Sequence, residues 1–355
     1  MSRYDHVQSA LRECGFPALA GPDAVRFLGE GAWHEAYLAT LQDNRQLVVR
    51  FPKKVSYGKP FVYDEQTLTG DYATVGLFYQ TANQARPGIC PADYHFRVSP
   101  ELTYTVESYL GRHLPLSEWT EASAFEIGRQ LGDFFRALHE IPTDLTGFGP
   151  ITWNGTYLQG KLTGDARDNL REEHAEHLEE LEVLLRSPLV FDRERVSATL
   201  HAVLSRRNID QHPITLTNRD VSPENLIFHD GRVGVIDPFP YLYSGLVFAG
   251  HLVNLYRVYF PLLHDAPRYQ KHNFHLHRPV LAAAAEGYLA GYAGGDAQLR
   301  RAILGESYLH LLSLAKGHYK LLQGEISEET VLRIGDRAAL ERRLPLLLRE
   351  LESPF

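Results

Sequence analysis

The sequence predicts an α+β fold in two parts, a small antiparallel sheet at the N-terminal end and a larger, mostly helical remainder. Three observations carry this. A glycine turn, Leu28-Gly29-Glu30-Gly31, is followed by alternating segments at 33–39 and 47–51, which read as short strands joined by turns. From residue 120 onward apolar residues recur chiefly at helical spacing. One strand–turn–strand signature, at 226–236, interrupts the helical part. A chain of 355 residues exceeds one ordinary domain.

Residues 3–14 read as a short amphipathic helix closed by Gly15 and Pro17. At the glycine turn, Gly29 and Gly31 would let backbone N–H groups approach an anion with no Cβ in the way. The G-x-G-x-x-G spacing is incomplete, because His34 stands at the third glycine position. A plain hairpin turn needs nothing more. In Leu47–Phe51 alternation puts Val48 and Arg50 on one face. A helix is expected at 63–83, weakened by Gly70 and Gly76, and a strand at 102–106. Between Thr120 and His139 the positions Phe125, Ile127, Leu131, Phe134, Phe135 and Leu138 mark a central buried helix, with His139 as a structural histidine. Gly147-Phe148-Gly149-Pro150 marks a loop. Residues 165–186 form a charged surface helix with Leu170, Leu178, Leu181 and Leu185 as its apolar stripe, and 193–207 another helix. Beyond residue 244 helices are expected at 245–262, 278–292, 297–323 and 328–352, with a break at Gly291, Gly294 and Gly295. His264, His272, His275 and His277 lie among Pro267, Lys271 and Arg278 without an i, i+4 His pair beside a Glu, so a surface loop is the better reading than a metal site.

Composition narrows the function classes. No uninterrupted apolar run approaches the roughly 18–20 residues needed to span a bilayer. The first residues, MSRYDHVQSALRECGF, lack the apolar stretch of a signal peptide. Cys14 and Cys90 are too few for a disulfide framework or a cysteine zinc site. A cytoplasmic protein is the expectation. The net charge is −8 with no basic tract, which argues against a nucleic-acid partner. The acidity suits a cationic small molecule, although solubility alone accounts for it equally well. The sequence is silent on oligomeric state.

The chemistry concentrates in Leu216–Pro238, LTNRDVSPENLIFHDGRVGVIDP. Asp220 is followed five residues later by Asn225, and Asp237 comes after a short hydrophobic run. Phosphoryl transfer needs one carboxylate to orient a hydroxyl and accept its proton, and an amide oxygen and a second carboxylate to hold Mg²⁺ on the nucleotide phosphates. The apolar runs at 226–228 and 233–236 flank the turn His229-Asp230-Gly231. Paired antiparallel strands bring their open ends together, so Asn225 and Asp237 can share one ion.

This segment resembles the catalytic segment of the aminoglycoside phosphotransferase family of small-molecule kinases, H-G-D-x-x-x-x-N-x-L followed by a hairpin and I-D. LGEGAWHEAYLA (28–39), LVVRFPK (47–53), YTVESYLG (104–111), LGDFFRALH (131–139) and GFG (147–149) are similar to further family landmarks and fall in the family's order. The resemblance implies a bilobal protein-kinase-like fold, with residues 1–108 as the nucleotide-binding lobe and 109–355 as the lobe of the catalytic loop and acceptor pocket. It implies ATP, or another nucleoside triphosphate, with Mg²⁺. Asp220 becomes the catalytic carboxylate and Asn225 and Asp237 the metal ligands. Gly29, Gly31 and Arg50 position the phosphates, with Lys53 or Lys54 as substitutes for Arg50. Glu65 is the expected partner of Arg50, with Asp64 and Asp71 as alternatives. Backbone groups near Glu107 and Tyr109 face the adenine edge. Asp265, Glu286, Asp296 and Glu306 are the carboxylates available to a cationic acceptor. The chain departs from the family pattern at Arg50, where a lysine is usual, and at Asn218, where a histidine is usual. Pro238 stands where Trp or Phe often follows the metal aspartate, and SGLVFAGHLVNLY (244–256) lacks the usual downstream Asp.

The expected function is therefore phosphorylation of a hydroxyl on a small, cationic molecule, such as an aminoglycoside-like antibiotic, an amino alcohol or a sugar. The alternative is a pseudokinase that binds nucleotide without turnover and acts through a partner; the departures favour it and the intact trio argues against it. A protein kinase would need an A-P-E-like segment after Asp237, and none is visible. Asp220→Ala should leave nucleotide binding nearly intact and remove turnover, and equal turnover in the variant would count against the assignment. Asp237→Ala should abolish Mg²⁺-dependent nucleotide binding in titration calorimetry.

Overall fold

The structure is a computed structural model and describes residues 2–56 and 59–353. In chain order the elements are α1 (Arg3–Glu13), β1 (Val25–Glu30), β2 (His34–Thr40), β3 (Gln46–Pro52), the two-residue strands β4 (Val55–Ser56) and β5 (Lys59–Pro60), α2 (Glu65–Ala85), β6 (Tyr94–Arg97), β7 (Tyr104–Ser108), α3 (Glu121–His139), β8 (Phe148–Trp153), β9 (Leu158–Leu162), α4 (Ala166–Leu185), α5 (Arg193–Arg206), β10 (Ile214–Asn218), β11 (Leu226–His229), β12 (Arg232–Val235), β13 (Pro240–Ser244), α6 (Gly245–Asn254), α7 (Phe260–Leu262), α8 (Arg278–Ala293), α9 (Ala297–Leu322), α10 (Glu328–Ile334) and α11 (Arg337–Glu352). The expected α+β class is what forms, an antiparallel sheet in the N-terminal region and helices through most of the rest. No described helix is long and apolar enough to cross a membrane.

The chain folds into two compact units. The first comprises Met1–His113, Asp144–Thr163 and Asn218–Leu242, and the second Leu114–Thr143, Gly164–Thr217 and Tyr243–Phe355. The catalytic segment thus groups with the N-terminal sheet, and this grouping cuts across a simple division at 108/109.

In the first unit the sheet runs β1-β2-β3-β7-β6, antiparallel throughout. Alternation sorts its side chains onto two faces. Leu47, Val49, Phe51, Tyr104 and Val106 form a buried cluster with Val7, Ala10 and Leu11 of α1, so α1 closes that face. On the other face Ala36 lies opposite Arg50, Thr105 opposite Arg50 and Glu107 opposite Val48. Tyr94 and Phe96 of β6 share this face and receive α2, with Tyr79 against Tyr94 at 5.3 Å and Tyr72 against Phe96 at 5.9 Å between ring centroids. The helix is one piece despite Gly70 and Gly76. A Cβ at residue 70 would come within 3.0 Å of the Trp153 Cβ, and one at residue 76 within 3.1 Å of the Tyr94 ring. Close packing, not weak propensity, accounts for both glycines.

Some elements differ from expectation. The stretch expected to loop at Gly147–Pro150 opens strand β8, paired with β9. Gly147 has φ of 75°, and a Cβ there would sit 2.5 Å from Leu162 O. The periodicity from 328 to 352 belongs to two helices, broken where Gly335 takes φ of 97° and Asp336 caps α11. The helix expected at 245–262 runs from α6 through a π-helical turn, Leu255–Tyr259, into α7.

The second unit is helical. One core joins Leu181 and Leu184 of α4, Val196, Leu200 and Leu204 of α5, Leu309, Leu312 and Ala315 of α9, and Leu344, Leu347 and Leu348 of α11. The α3–α8 seam is built differently, by glycines from both helices. A Cβ on Gly128 would lie 1.9 Å from Ala284 O, one on Gly132 2.2 Å from Tyr288 O, one on Gly287 1.9 Å from Phe125 O and one on Gly291 2.1 Å from Arg129 O. His139, at the end of α3, is structural as expected. Its Nδ1 is 2.7 Å from the Tyr292 hydroxyl and its Nε2 3.2 Å from Thr217 Oγ1, and burial pushes its pKa down to about 3. Because the atoms that a methyl would strike at Gly128 are backbone and cannot swing away, Gly128→Ala should cost about 3 kcal/mol or more. Thermal unfolding measures it, and an unchanged midpoint would contradict the packing described.

Candidate active site

The site assembles in the first unit from the sheet face opposite α1, from α2 and from the catalytic segment. That segment is fixed first by its own polar side chains. Asn218, at the end of β10, is buried. Its Oδ1 accepts from the backbone N–H of Asp220 at 3.0 Å and of Phe239 at 2.8 Å, and its Nδ2 donates to Asp220 O at 3.0 Å. One amide therefore holds the Asp220 loop and ties it to the strand leaving Asp237. A carboxylate could not donate there and an ammonium could not accept, so the amide of Asn218 meets both demands of the position. Asp220 is half-buried, with Ser222 N–H 3.4 Å from Oδ1. Burial, reinforced by the charge of Asp237, pushes its pKa up to about 6.

The expected hairpin β11–β12 forms, with Leu226 opposite Val235 and His229, placed in the turn by the sequence, paired opposite Arg232. Its turn residues Asp230 and Gly231 both have positive φ, 49° and 73°, the combination that matches strand twist in a two-residue turn. The open ends meet: Ile236 N–H donates to Asn225 O at 3.0 Å, and Asn225 Nδ2 lies 3.4 Å from Asp237 O. Asp237 also has positive φ, 49°, which Asp tolerates better than most residues. Its N–H donates to the Tyr79 hydroxyl at 3.2 Å. The backbone of Asp237 is thus held on both sides while its side chain stays 57% exposed.

Arg50 takes a different partner from the one expected. Glu65 opens α2 and is exposed, and Asp64 is the N-cap of that helix, accepting from Thr67 N–H. The carboxylate on Arg50 is Glu107, across β3 and β7, with Nε and Nη2 at 3.0 and 2.7 Å from Oε1. The side chains of the pair are 15% and 4% exposed. Glu107 Oε2 accepts from the Tyr79 hydroxyl at 3.2 Å, and Arg50 Nη1 lies 3.6 Å from Asp237 Oδ1. The helix α2 therefore contributes a phenol where a carboxylate was expected. The only advance signal was Tyr72 and Tyr79 seven residues apart, two helical turns on one face. Glu107 was expected to act through its backbone beside adenine. It lies within β7, between β3 and β6, and Tyr109 N–H donates to Gln46 O at 3.1 Å.

The glycine turn joins β1 and β2. Gly29 has φ of 146°, which strains any residue with a Cβ, and Gly29 and Gly31 have open space where a Cβ would stand. Lys53 is tied to this turn, with Nζ 3.2 Å from Glu30 Oε2. His34 follows the turn, half-buried beside Tyr72 of α2. Burial pushes its pKa down to about 4, against the pull of Asp237.

The oxygen donors fit a hard cation. Asp237 offers an accessible carboxylate, and Asn225 retains Oδ1 because its Nδ2 faces Asp237 O. No group of three or more His, Cys, Asp or Glu side chains suited to a metal exists among the described residues. A magnesium ion carried on nucleotide phosphates needs only one or two protein oxygens. In the second unit the carboxylates considered for the acceptor have other partners. Asp265 pairs with Arg342 and Arg343, Glu286 with Arg300, and Glu306 with Arg207, while Asp296 caps α9. Removing one partner of a buried ion pair strands the other charge, so Glu107→Ala should destabilise the protein by about 3–5 kcal/mol. The loss is read by denaturant titration, and a change below about 1 kcal/mol would show the pair to be solvated.

The sequence pattern of the phosphotransferase enzyme family matches residues 24–239, more than half of the chain and the whole of the site just described. No curated protein matches. Among solved structures, the chain is similar to a thermostable mutant of the aminoglycoside phosphotransferase APH(4)-Ia in ternary complex with ADP and hygromycin B, at 16% identity over 97% of this chain and 98% of that one, TM-score 0.49. It is also similar to macrolide 2'-phosphotransferase MphH from Brachybacterium faecium, at 14% identity over 99% and 98%, TM-score 0.46. A choline/ethanolamine kinase family protein from Mesorhizobium loti gives 14% identity over 98% of each chain, TM-score 0.46. With its family pattern spanning both the glycine turn and the catalytic segment, the chain belongs to the phosphotransferase enzyme family.

Proposed function

We propose that this protein transfers the terminal phosphoryl group of ATP, or of another nucleoside triphosphate, to a hydroxyl of a small, cationic molecule. The observation that carries the reading is the joining of Asp237 to Arg50, through a 3.6 Å contact between their side chains, and to Asn225 and Tyr79 through its backbone. A phosphate-binding cation and a metal-binding carboxylate are thereby fixed together in the unit that also holds Asp220.

In this mechanism Asp220 accepts a hydrogen bond from the acceptor hydroxyl and takes its proton as the oxygen attacks. The new oxygen–phosphorus bond forms as the bond from that phosphorus to the bridging oxygen breaks, and the nucleoside diphosphate leaves. Arg50 and the backbone of the glycine turn orient the phosphates. Asp237 and Asn225 would hold Mg²⁺, which supplies charge neutralisation on the phosphate oxygens. Alignment and fixed charge furnish most of the rate gain.

The alternative, a module that binds nucleotide without turnover, is favoured by one observation: Arg50 is already paired with Glu107. Thermal shift with Mg²⁺-ATP followed by an ATP-depletion screen separates the readings. The screen should span aminoglycosides, other hydroxylated antibiotics, choline-like alcohols and sugars. Acceptor-dependent depletion supports the kinase, and binding without depletion across the panel supports the alternative. Asp220 must be ionised to accept a proton, and its pKa is raised to about 6. The acid limb of kcat/KM should therefore fall as pH drops through about 6. A profile flat from pH 7 to 5 would remove Asp220 from that role.

A further inference from the structure

His34 follows the glycine turn on the site face, and nothing described so far uses it. Its register, opposite Pro52 with Ala36 opposite Arg50, places it on the face that carries Arg50. Its Nε2 is 2.9 Å from the Tyr72 hydroxyl, and the two rings are 5.7 Å apart. Tyr72 is buried, and its hydroxyl has no other hydrogen-bond partner among the described residues. A buried phenol O–H donates to the acceptor at hand, so Tyr72 donates to Nε2. The ring proton of the neutral imidazole then resides on Nδ1. That Nδ1–H has no protein acceptor among the described residues.

One backbone donor of the turn is already engaged. Gly31 N–H closes the hairpin on His34 O at 2.9 Å, and the Lys53 ammonium faces Glu30 and Gly31 O. A nucleotide over this turn meets fewer unengaged backbone N–H groups than an open glycine loop would offer. The sequence also lacks the third glycine of G-x-G-x-x-G, at the position His34 occupies.

We propose that His34, oriented by Tyr72, binds the terminal phosphates of the nucleotide through Nδ1–H, adding a side-chain donor to those of the turn, where Gly31 N–H is engaged. This deepens the kinase reading and rests on it. A phosphate-binding role predicts a selective effect. His34→Ala should weaken Mg²⁺-ATP binding and raise its KM by about tenfold, the loss expected for one hydrogen bond to a charged oxygen, and leave adenosine binding unchanged. His34→Asn, whose Nδ2–H lies near the place of Nδ1–H, should restore most of the affinity. Tyr72→Phe keeps the ring but releases the tautomer, and should give an intermediate loss.

Titration calorimetry of the full-length protein with Mg²⁺-ATP, ADP and adenosine, alongside the apo thermal midpoint, reads all of this. Unchanged ATP affinity in His34→Ala would overturn the proposal and leave the kinase reading standing. Equal loss for ATP and adenosine would also overturn it, by making His34 a structural residue. If the unsubstituted protein binds no nucleotide and depletes no ATP, the kinase reading fails and this proposal falls with it.

Discussion

The site depends on one buried ion pair. Glu107 lies inside a five-stranded sheet, and its two oxygens face different elements, Oε1 towards Arg50 and Oε2 towards Tyr79. A carboxylate removed from water is tolerated only when its lone pairs are satisfied. The guanidinium and the phenol meet that condition, and each is in turn held in one direction. Arg50 is left with Nη1 pointing at Asp237, and Tyr79 with its oxygen accepting from the Asp237 backbone. Sheet, helix and hairpin are therefore keyed to a single carboxylate.

Two aspartates of the segment sit in different environments. Asp237 is open to solvent and sits beside a cation, while Asp220 is half-buried and feels Asp237 as a like charge. Asp220 thereby acquires the more basic carboxylate, while the Asp237 side chain stays open to solvent. The backbone at Asp237 is bent into a left-handed conformation to present it. Asn225 and Tyr79 grip the peptide groups on either side, which keeps that conformation from relaxing.

Much of this was legible in the residues. The hairpin followed from two short apolar runs about a turn, and with it the meeting of Asn225 and Asp237, because strand pairing is local. Most helices followed from apolar spacing. The Arg50 partner did not, because cross-strand neighbours depend on which strands are adjacent, and β3 pairs with β7, more than fifty residues on. A sequence gives the helix that follows β3 as the nearest source of a carboxylate, whereas the sheet supplies a closer one. Strand β8 was hidden for another reason. Its glycines signal a turn by composition, yet they serve close pairing with β9. Gly70 and Gly76 misled in the same way, as weak helix formers that packing requires. The break at Gly335 was missed because the apolar spacing resumes in phase beyond it.

The α3–α8 seam carries a consequence for how this protein can diversify. Backbone touches backbone at four glycines, so neither helix can accept even a methyl group there without being displaced. Laboratory evolution would find this zone closed to change, and viable diversity would collect on elements outside the zipper. The seam therefore acts as a fixed keel: libraries that randomise it will yield mostly insoluble clones, and those that spare it keep their scaffold while the rest of the surface varies.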